Sequence, residues 1–417
     1  MEKIRIKGKA KLHGSINIPG SKNAALPILV STLLSKKDFT ITNIPNLQDV
    51  SSMIKLLKSF GVSVLNNKDN LILNASKLEN NIAEYDLVRK MRASILVLGP
   101  LLTRFKDIKI SLPGGCAIGT RPIDIHLEGL KKLGVKFHIE NGFVRGIVED
   151  KLKGNLINLP FPSVGATENI IMASSLAIGT TIINNAAKEP EIVDLAKSLN
   201  SMGAIITGYG SSRIIIEGVD SLNQSKHNIM FDRIVAGTFI IAGIITNSKF
   251  TIQNVIPEYL KKLIEVLELM NAKLEIKEDS ITVMPSKQIN AINIETAPYP
   301  GFPTDLQAQI MSLMCIAKGQ SVIKEKIFEN RFMHVAELNR LGANIKIKND
   351  TAYIEGGRKF KGAQVMASDL RASVSLVLAA FCAEGETIVN RVYHLDRGYE
   401  KIEETLGKCG PIIFREK

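Results

Sequence analysis

Phe39-Thr-Ile-Thr-Asn43 and, further along, Leu57-Lys-Ser-Phe-Gly61 are the two halves of a unit that recurs through this 417-residue chain. The first half has the β-branched composition of a strand, and the second has the Leu-x-x-x-Gly ending of an amphipathic helix. In the copy that ends at Gly134, the strand position is taken by Cys116-Ala-Ile. The endings fall about 70 residues apart, which predicts six copies of one structural unit, and they are Gly61, Gly134, Gly203, Asn271, Gly342 and Gly410.

A second kind of helix, rich in Ala, Leu and Ile, is predicted between the amphipathic ones. Because these segments are apolar nearly all round, we expect them to be buried. Each unit is then a βαβαββ module of mixed α/β class. Six equal modules favour two pseudo-threefold lobes, with a cleft between them, over an open solenoid array. The buried helices are expected to begin near Lys22, Lys90, Gly165, Asp232, Thr304 and Asp369.

The composition narrows the class of partner. The chain carries a formal net charge of +12, but the charge is spread along the sequence without a Lys/Arg run. Aromatic residues make up only 5% and Trp is absent, which argues against the stacking platforms of nucleic-acid-binding proteins. A small polyanionic substrate therefore fits the charge better than nucleic acid or a membrane surface does.

Cysteine usage and hydropathy indicate a reduced, cytoplasmic protein. The cysteines stand far apart without a Cys-x-x-Cys pair or a His cluster, so neither a disulfide framework nor a zinc site is expected. The opening residues Met-Glu-Lys-Ile-Arg-Ile lack the apolar region of a signal peptide. The longest apolar runs are too short to cross a bilayer, so no membrane insertion is expected. The four cysteines are Cys116, Cys315, Cys382 and Cys409.

One of these cysteines lies in a glycine-rich stretch, Ser111-Leu-Pro-Gly-Gly-Cys-Ala-Ile-Gly-Thr-Arg121. Its Pro and Gly residues make it a poor helix and a poor strand, so we expect a mobile loop. Pro122 suits the first turn of a following helix, whose free N–H groups would attract an anion. The stretch is therefore either a reactive thiol beside an anion site or an ordinary surface loop with an incidental cysteine.

Charged and polar residues gather at the predicted first turns of both kinds of helix. Cations are disfavoured there unless an anion is bound, and we place Lys22, Arg121, Arg371 and Arg397 at such positions. This is the pattern of a phosphate- or carboxylate-binding site. Structural alternatives remain for several residues: N-caps at Ser21, Ser163, Thr304 and Asp369, solvated helix ends at Lys22 and Arg92, a first-turn acid at Asp305, and structural or solvated histidines at His126 and His394.

Several literal strings resemble one protein family. They are Pro19-Gly-Ser-Lys-Asn-Ala24, Leu112-Pro-Gly-Gly-Cys-Ala-Ile-Gly-Thr-Arg-Pro122, Phe302-Pro-Thr-Asp-Leu-Gln-Ala308, Phe328-Glu-Asn-Arg-Phe-Met-His334, Asp369-Leu-Arg-Ala-Ser373 and Asp396-Arg-Gly-Tyr-Glu400. Together they are similar to the UDP-N-acetylglucosamine 1-carboxyvinyltransferases, a family of enolpyruvyl transferases. The resemblance implies an inside-out α/β barrel of two lobes, each with three βαβαββ modules. It implies that residues 1–21 and 230–417 form one lobe and that residues 22–229 form the other.

The resemblance also implies a reaction. Enolpyruvate would pass from phosphoenolpyruvate to the 3-hydroxyl of UDP-N-acetylglucosamine by addition and elimination, releasing phosphate in the first committed step of peptidoglycan synthesis. No metal or other cofactor is implied. Asp305 is implied as the base and Cys116 as the acid that protonates the enol methylene, with Asp369 assisting the proton steps. Fosfomycin is implied as a covalent inhibitor at Cys116.

Substrate-binding residues follow from the same resemblance. Phosphoenolpyruvate is assigned to Lys22, Arg121, Arg331, Arg371 and Arg397. The nucleotide sugar is assigned to Asn23, Arg92, Arg121, Pro122, Ile123, Asp124, Ile125, Ser163, Val164, Gly165, Asp305 and Ile327. One departure stands out, because some family members carry Lys shortly before Ser-Val-Gly-Ala, where this chain has Phe161-Pro162. A contact from that side chain to the nucleotide phosphates is therefore in question.

Two alternatives accompany this interpretation. The fold and the chemistry are shared with 5-enolpyruvylshikimate-3-phosphate synthase, but that enzyme lacks the Pro-Gly-Gly-Cys-Ala-Ile-Gly stretch. A nucleotide-sugar-binding paralogue without catalytic activity is the other. The joint presence of Lys22, Cys116, Asp305 and Arg397 argues against it.

Overall fold

A computed structural model describes residues 2–67, 70–112 and 123–416. Its described residues form two compact units. The central unit consists of residues 20–67, 70–112 and 123–230, and the terminal unit consists of residues 2–19 and 231–416. Each unit has a hydrophobic core of its own, one built around Phe39, Phe60 and Leu98 and the other around Phe239, Phe250 and Phe381.

The strands are short and spread evenly along the chain. They are β1 (Lys3–Lys7), β2 (Ser15–Asn17), β3 (Phe39–Thr42), β4 (Ser63–Asn67), β5 (Asn70–Asn74), β6 (Ile82–Ala83), β7 (Asp107–Ser111), β8 (Lys136–Glu140), β9 (Phe143–Ile147), β10 (Leu156–Asn158), β11 (Thr180–Asn184), β12 (Ile205–Thr207), β13 (Arg213–Glu217), β14 (Ser225–Asn228), β15 (Phe250–Gln253), β16 (Lys273–Ile276), β17 (Ser280–Met284), β18 (Asn293–Glu295), β19 (Gln320–Lys324), β20 (Asn344–Lys348), β21 (Thr351–Glu355), β22 (Gln364–Met366), β23 (Glu386–Asn390) and β24 (Ile413–Glu416).

The α-helices alternate with these strands. They are α1 (Lys22–Ser31), α2 (Gln48–Ser59), α3 (Tyr85–Val88), α4 (Leu98–Arg104), α5 (Asp124–Lys132), α6 (Val164–Ser174), α7 (Pro190–Ser201), α8 (Arg233–Ile245), α9 (Lys261–Leu269), α10 (Gln307–Ile316), α11 (Val335–Arg340), α12 (Ala372–Cys382) and α13 (Ile402–Gly407). Short 3-10 helices add Thr32–Leu34, Arg92–Val97, Pro257–Leu260, Thr304–Leu306 and Val392–Arg397.

The described strands form six sheets of four strands, three in each unit. In the sheet β10-β11-β13-β12, the first pair is parallel and the other two pairs are antiparallel. With α6 after β10 and α7 after β11, the order along the chain is βαβαββ. The remaining sheets repeat this order of pairing. The predicted fold class, mixed α/β with three such modules in each of two units, is confirmed.

Three of the modules borrow a strand from a distant part of the sequence. The strand β14 pairs in parallel with β3 and so supplies the first strand of the module that contains β3. The strand β2 does the same for β15. The strand β1 lies between β23 and β24 and completes the last module. The modules are therefore equal in structure, although they are not all continuous in sequence.

The predicted buried helices occupy the middle of each unit. In the terminal unit, α8, α10 and α12 pack against one another, and all 13 residues of α8 are buried. The central unit buries α1, α4 and α6 in the same way. Strands alternate buried and less buried residues, so each sheet covers the helices with one face. This is the inside-out arrangement, with the helices inside and the sheets outside.

The predicted helix endings are also observed. Each ending residue has a positive φ, the left-handed conformation that terminates helices and that Gly or Asn adopts most easily. Five of these residues are Gly, and the Asn copy shows that only the backbone conformation is shared. The φ values are 98° at Gly61, 101° at Gly134, 101° at Gly203, 67° at Asn271, 104° at Gly342 and 118° at Gly410.

Some element boundaries differ from the sequence predictions. The strand of the second module is Asp107–Ser111, where Ile108 and Ile110 fill the core face, and the predicted strand position at Cys116-Ala-Ile lies outside the described residues. In the terminal unit, α11 begins at Val335 and α13 at Ile402. Arg397, which was predicted at a helix N-terminus, therefore precedes its helix by several residues, and so does Arg331. Among the described helices, none is long and apolar enough to span a membrane.

Candidate active site

The central unit buries a lysine at the start of its first helix. Lys22 is the first residue of α1 and is 6% exposed, so the alternative of a solvated helix end is wrong. Its Nζ lies 3.3 Å from Oδ2 of Asp49, a buried carboxylate in the first turn of α2. An ammonium at a helix N-terminus meets the unfavourable end of the helix dipole, and Asp49 offsets that charge. In the sequence, Asp49 looks like an ordinary first-turn acid, and only its burial beside Lys22 gives it a role. Asn23, the next residue of α1, is half-buried.

Two predicted N-caps in this unit are confirmed. The Ser21 side chain accepts a hydrogen bond from the Ala24 N–H of α1, and the Ser163 side chain accepts one from the Ala166 N–H of α6. Val164 and Gly165 form the first turn of α6 and are half-buried. Ser163 is therefore a structural cap, which does not prevent its neighbours from contacting a ligand.

Residues assigned to the nucleotide sugar meet around His126 of α5. Nδ1 of His126 lies 3.1 Å from Nδ2 of Asn169 on α6, and a Cβ added to Gly165 would lie 3.1 Å from the imidazole. Burial, and then the charge of Arg92, lower the pKa of His126 to about 4. The structure thus brings together Arg92, the first turn of α6 and the start of α5. In that start, Ile123 is buried, Ile125 is half-buried and Asp124 is exposed.

Three buried acids in and near α6 and α7 were not predicted from the sequence. Glu168, Glu189 and Glu191 are 4%, 8% and 2% exposed. Burial raises the pKa of Glu168 well above its usual range, and the charges of Glu191 and Glu189 add to the effect. In the sequence, these residues were indistinguishable from the acids that commonly occupy first helical turns. Only their burial together sets them apart.

The terminal unit holds the predicted base between two arginines. Asp305 lies in the 3-10 helix Thr304–Leu306. Its Oδ1 accepts a hydrogen bond from Nη2 of Arg331 at 2.8 Å, and its Oδ2 lies 3.4 Å from Nε of Arg371. The arginine side chains are 5% and 2% exposed, and that of Asp305 is 26% exposed. Asp305 is therefore not simply a first-turn acid that interacts with the helix dipole, because its charge is matched by two buried guanidinium groups.

Glu325, at the end of β19, organises the backbone around Asp305. Its Oε1 accepts hydrogen bonds from the Thr296 hydroxyl and from the Ile327 and Phe328 N–H groups. Its Oε2 accepts one from the hydroxyl of Thr304, 2.9 Å away. Thr304 therefore joins this network and does not act as an N-cap. The half-buried Ile327, assigned to the nucleotide sugar, is fixed by the same carboxylate.

Arg371 presents unmatched donors in the protein interior. Within the described residues, Nη1 and Nη2 of this guanidinium are buried without a hydrogen-bond partner. Its carbon Cζ lies 5.8 Å from the centre of the Tyr399 ring. Burial alone would lower the pKa of Arg371, but nearby acidic groups, Asp305 first, outweigh it and raise the pKa. The arginine therefore stays charged, and its free donors suit an oxyanion.

Asp369 lies just before α12, next to this arginine. Its Oδ1 accepts hydrogen bonds from the Arg371 and Ala372 N–H groups, which confirms that it caps the helix. Two histidines are electrostatically coupled to it. Burial lowers the pKa of His334 to about 4 against the opposing charge of Asp369, and burial also lowers the pKa of His394. Both ring nitrogens of His334 are buried without a hydrogen-bond partner in the described chain, a feature that the sequence did not indicate.

Arg397 closes the 3-10 helix Val392–Arg397 and is half-buried. Its charge contributes to the lowered pKa of His394, which is also coupled to Asp369, so the three groups lie in one neighbourhood. The terminal unit therefore brings together Asp305, Arg331, Arg371, Asp369 and Arg397. Three predicted residues, Cys116, Arg121 and Pro122, lie outside the described residues.

This geometry suits proton transfer beside a bound oxyanion. One carboxylate is held in place by two guanidinium groups, and a buried arginine offers hydrogen-bond donors beside it. Such fixed positive charge stabilises negative charge that develops during a reaction. Among the described residues, no group of three or more His, Cys, Asp or Glu side chains is arranged to hold a metal ion.

Solved structures of other proteins have the same fold. The enolpyruvyl transferase NikO from Streptomyces tendae superposes with a TM-score of 0.90 over 99% of this chain and 98% of its own, at 22% identity. An EPSP synthase from Acinetobacter baumannii gives a TM-score of 0.78 over 100% of both chains, at 18% identity. At these identities, the likeness concerns the fold alone.

Sequence comparison gives a closer relationship. A UDP-N-acetylglucosamine 1-carboxyvinyltransferase from Pelagibacter ubique (strain HTCC1062) is 52% identical over 415 residues, covering 100% of both chains. A protein of the same name from Dinoroseobacter shibae (strain DSM 16493 / NCIMB 14021 / DFL 12) is 50% identical over 420 residues, again over 100% of both chains. Residues 6–406 match the family described as EPSP synthase (3-phosphoshikimate 1-carboxyvinyltransferase). The chain therefore belongs to the EPSP synthase family of enolpyruvyl transferases.

Proposed function

We propose that this protein transfers the enolpyruvyl group of phosphoenolpyruvate to the 3-hydroxyl of UDP-N-acetylglucosamine, releasing phosphate. The observation that carries the proposal is the full-length identity of about half with proteins named for this activity. The reaction is the first committed step of peptidoglycan synthesis, and so of cell-wall formation, and we place it in the cytoplasm. The partners are the two small substrates, with no nucleic acid and no membrane insertion.

Asp305 is the proposed base in the addition step. It takes the proton of the 3-hydroxyl while that oxygen bonds to C2 of phosphoenolpyruvate. The two guanidinium groups beside it favour the ionised carboxylate, which makes it a weak base. Its contribution then depends on position, since Arg331 and Arg371 hold the two oxygens in place.

Cys116 is the proposed acid for the other end of the double bond. Its thiol donates a proton to C3 of phosphoenolpyruvate, so that C3 becomes a methyl group and a tetrahedral intermediate forms. In the elimination step, the bond from C2 to the phosphate oxygen breaks with its electron pair leaving on phosphate, and C3 returns a proton to the Cys116 thiolate, which restores the double bond. Asp369 is proposed to assist these proton steps. No metal or other cofactor takes part in this scheme.

The anionic groups of phosphoenolpyruvate are assigned to Lys22, Arg121, Arg331, Arg371 and Arg397. The buried terminal nitrogens of Arg371 support this assignment, because they suit a phosphate or carboxylate. The nucleotide sugar is assigned to Asn23, Arg92, Arg121, Pro122, Ile123, Asp124, Ile125, Ser163, Val164, Gly165, Asp305 and Ile327. The meeting of Arg92, α5 and the first turn of α6 around His126 supports the central part of this set.

A phosphate-release assay tests the proposal. The purified protein is incubated with phosphoenolpyruvate and UDP-N-acetylglucosamine, or with phosphoenolpyruvate and shikimate 3-phosphate. We expect phosphate release with the first pair and only background with the second. Release with shikimate 3-phosphate alone would show that the 5-enolpyruvylshikimate-3-phosphate synthase alternative is correct. Binding of UDP-N-acetylglucosamine without any release would favour the non-catalytic paralogue.

A further inference from the structure

Arg415, two residues from the end of the chain, makes an unusually complete set of ion pairs. It lies on β24, an edge strand of its sheet, directly opposite the buried Ile4 of β1. Residues that face each other in a sheet share one face, so Arg415 points to the side of the sheet that covers the core. Its side chain is 20% exposed. An arginine in this position needs internal partners, because much of its hydration is lost.

All five N–H donors of this guanidinium have an acceptor. Nη1 and Nη2 donate to the two carboxylate oxygens of Asp396 at 2.9 and 2.6 Å. Nε and Nη2 donate to the two oxygens of Glu403 at 2.8 and 3.2 Å. Nη1 also donates to Oε2 of Glu2 at 2.9 Å. Two of the three carboxylates are held in bidentate geometry, the strongest form of this interaction.

The two bidentate partners lie on either side of the segment that carries Arg397. Asp396 precedes Arg397 in the 3-10 helix Val392–Arg397, and Glu403 lies in the first turn of α13. Between them, Tyr399 is buried beside Arg371, and its hydroxyl lies 2.8 Å from the Thr238 hydroxyl. The side chain of Arg415 therefore joins the two ends of a short segment that borders the candidate active site.

The backbone of this segment requires such support. Arg391 and Lys401, which stand on either side of Asp396 and Arg397, have φ values of 58° and 36°. This left-handed region is unfavourable for residues with a Cβ, and it persists only where the surroundings hold the chain in place. In the corresponding turns of three other modules, the positive φ falls on Asn43, Asn185 and Asn254, which tolerate it better. The chain around Arg397 is thus strained at Arg391 and Lys401, and Arg415 holds it at Asp396, between these two positions, and at Glu403, just after them.

Arg5 provides an internal comparison, because it has similar bonds in another place. Its Nε and Nη2 donate to the two oxygens of Glu416 at 2.7 and 3.2 Å, and Nη1 contacts Glu386. Both partners belong to strands of the same sheet, so Arg5 joins β1 to its two neighbours. Within the described residues, Arg5 forms no hydrogen bond or ion pair with residues 392–403, whereas Arg415 contacts Asp396 and Glu403 there.

We propose that Arg415 is a positioning residue that fixes Arg397, through Asp396, in the geometry that binds the anionic groups of phosphoenolpyruvate. The inference rests on the role given to Arg397 under the proposed function. Lysine cannot replace this arginine fully, since one ammonium cannot make two bidentate pairs. The effect should fall mainly on phosphoenolpyruvate, because no residue assigned to the nucleotide sugar lies within residues 392–403 or bonds to Arg415.

The test compares the steady-state kinetics of Arg415→Met, Arg415→Lys and Arg5→Met in the full-length protein. We expect the KM for phosphoenolpyruvate to rise by about 10- to 100-fold in Arg415→Met and by less in Arg415→Lys. The KM for UDP-N-acetylglucosamine should stay within about twofold, and Arg5→Met should leave both values near wild type. Equal changes in both KM values, or equal effects of Arg415→Met and Arg5→Met, would overturn the proposal.

A double variant tests whether the effect passes through Arg397. In the Arg397→Met background, adding Arg415→Met should change kcat/KM for phosphoenolpyruvate by less than about threefold, because the group being positioned is already absent. Full additivity would contradict the proposal. If Arg415→Met does not fold, Asp396→Asn tests the same connection, since it removes the charge but keeps the shape of the side chain.

Hydrogen exchange separates this proposal from the proposed function. Without substrates, amides of residues 392–403 should exchange faster in Arg415→Met than in wild type or Arg5→Met. Unchanged exchange would refute the positioning role even if the enzyme is active. A different outcome is that Arg415→Met exchanges faster but the wild type releases no phosphate from phosphoenolpyruvate and UDP-N-acetylglucosamine. That result would refute the proposed function and leave the structural role of Arg415 intact.

Discussion

Replacing Asp305 by Asn should affect stability as well as turnover. The substitution keeps the shape of the side chain but removes the charge that Arg331 and Arg371 share. Those guanidinium groups are 5% and 2% exposed, so neither can recover its hydration easily. Removing one partner of a buried ion pair costs about 3–5 kcal/mol. Because Asp305 itself is 26% exposed, we expect the lower end, about 3 kcal/mol.

The same substitution should lower kcat by about 10²- to 10⁴-fold, the usual contribution of a general base. Phosphoenolpyruvate should still bind, because the cations assigned to it remain and one nearby negative charge has gone. The assay pairs urea unfolding, which gives the free energy of unfolding, with steady-state phosphate release. Stability within about 0.5 kcal/mol of wild type would refute the charge argument, and kcat within tenfold would remove Asp305 as the base.

A thermodynamic cycle isolates the Asp305–Arg331 pair. Arg331→Met alone should be destabilising, whereas the double variant Asp305→Asn/Arg331→Met should lose less than the sum of the single effects, by at least about 1 kcal/mol. Additive losses would mean that the 2.8 Å contact between the two side chains contributes no net stability.

Three further predictions concern other parts of the chain. Gly134→Ala should lower the free energy of unfolding by about 1–2 kcal/mol, because the φ of Gly134 is 101°, although an added Cβ would meet open space. Gly134→Asn should lower it by less, since Asn271 adopts the corresponding conformation. Equal losses in the two variants would refute this explanation. The pKa of His334 is about 4 in the folded protein against 6.5 otherwise, so its contribution to stability is present above pH 6.5 and is lost as the pH falls toward 4. Between pH 7 and pH 5, the free energy of unfolding should therefore fall by about 2 kcal/mol more in the wild type than in His334→Asn. If the two proteins lost stability in parallel over this range, the assignment would be wrong. Fosfomycin should inactivate the wild type with a mass increase on Cys116, and Cys116→Asp should resist; an unmodified wild type would show that Cys116 is not the reactive thiol.

The repeat could be predicted from sequence because its markers are local. A helix that must end in a left-handed residue needs Gly or Asn, so the endings from Gly61 to Gly410 were visible without a structure. The N-caps Ser21 and Ser163 were predictable for a similar reason, since short polar side chains accept hydrogen bonds from the first helical N–H groups.

Other features depend on contacts between residues far apart in sequence. The pairing of β1 with β23 and β24 unites the two ends of the chain, and no local pattern encodes it. The sequence around Arg397 has a helical pattern, but Arg397 lies in a 3-10 helix that ends before α13. The chain turns between these two helices at Tyr399, whose side chain is buried. Asp49, His334 and Arg415 are ordinary residues in sequence, and only their partners or their burial give them a role.

The central claim, the identity of the two substrates, is tested most directly by identifying the product. Phosphoenolpyruvate labelled with ¹³C at C2 is incubated with UDP-N-acetylglucosamine and the protein, and the product is analysed by heteronuclear NMR. We predict a vinyl ether whose labelled carbon is coupled through oxygen to the proton on C3 of the sugar, together with one free phosphate for each product molecule. A labelled carbon on another hydroxyl, or a labelled product only when shikimate 3-phosphate replaces the nucleotide sugar, would contradict the proposed function.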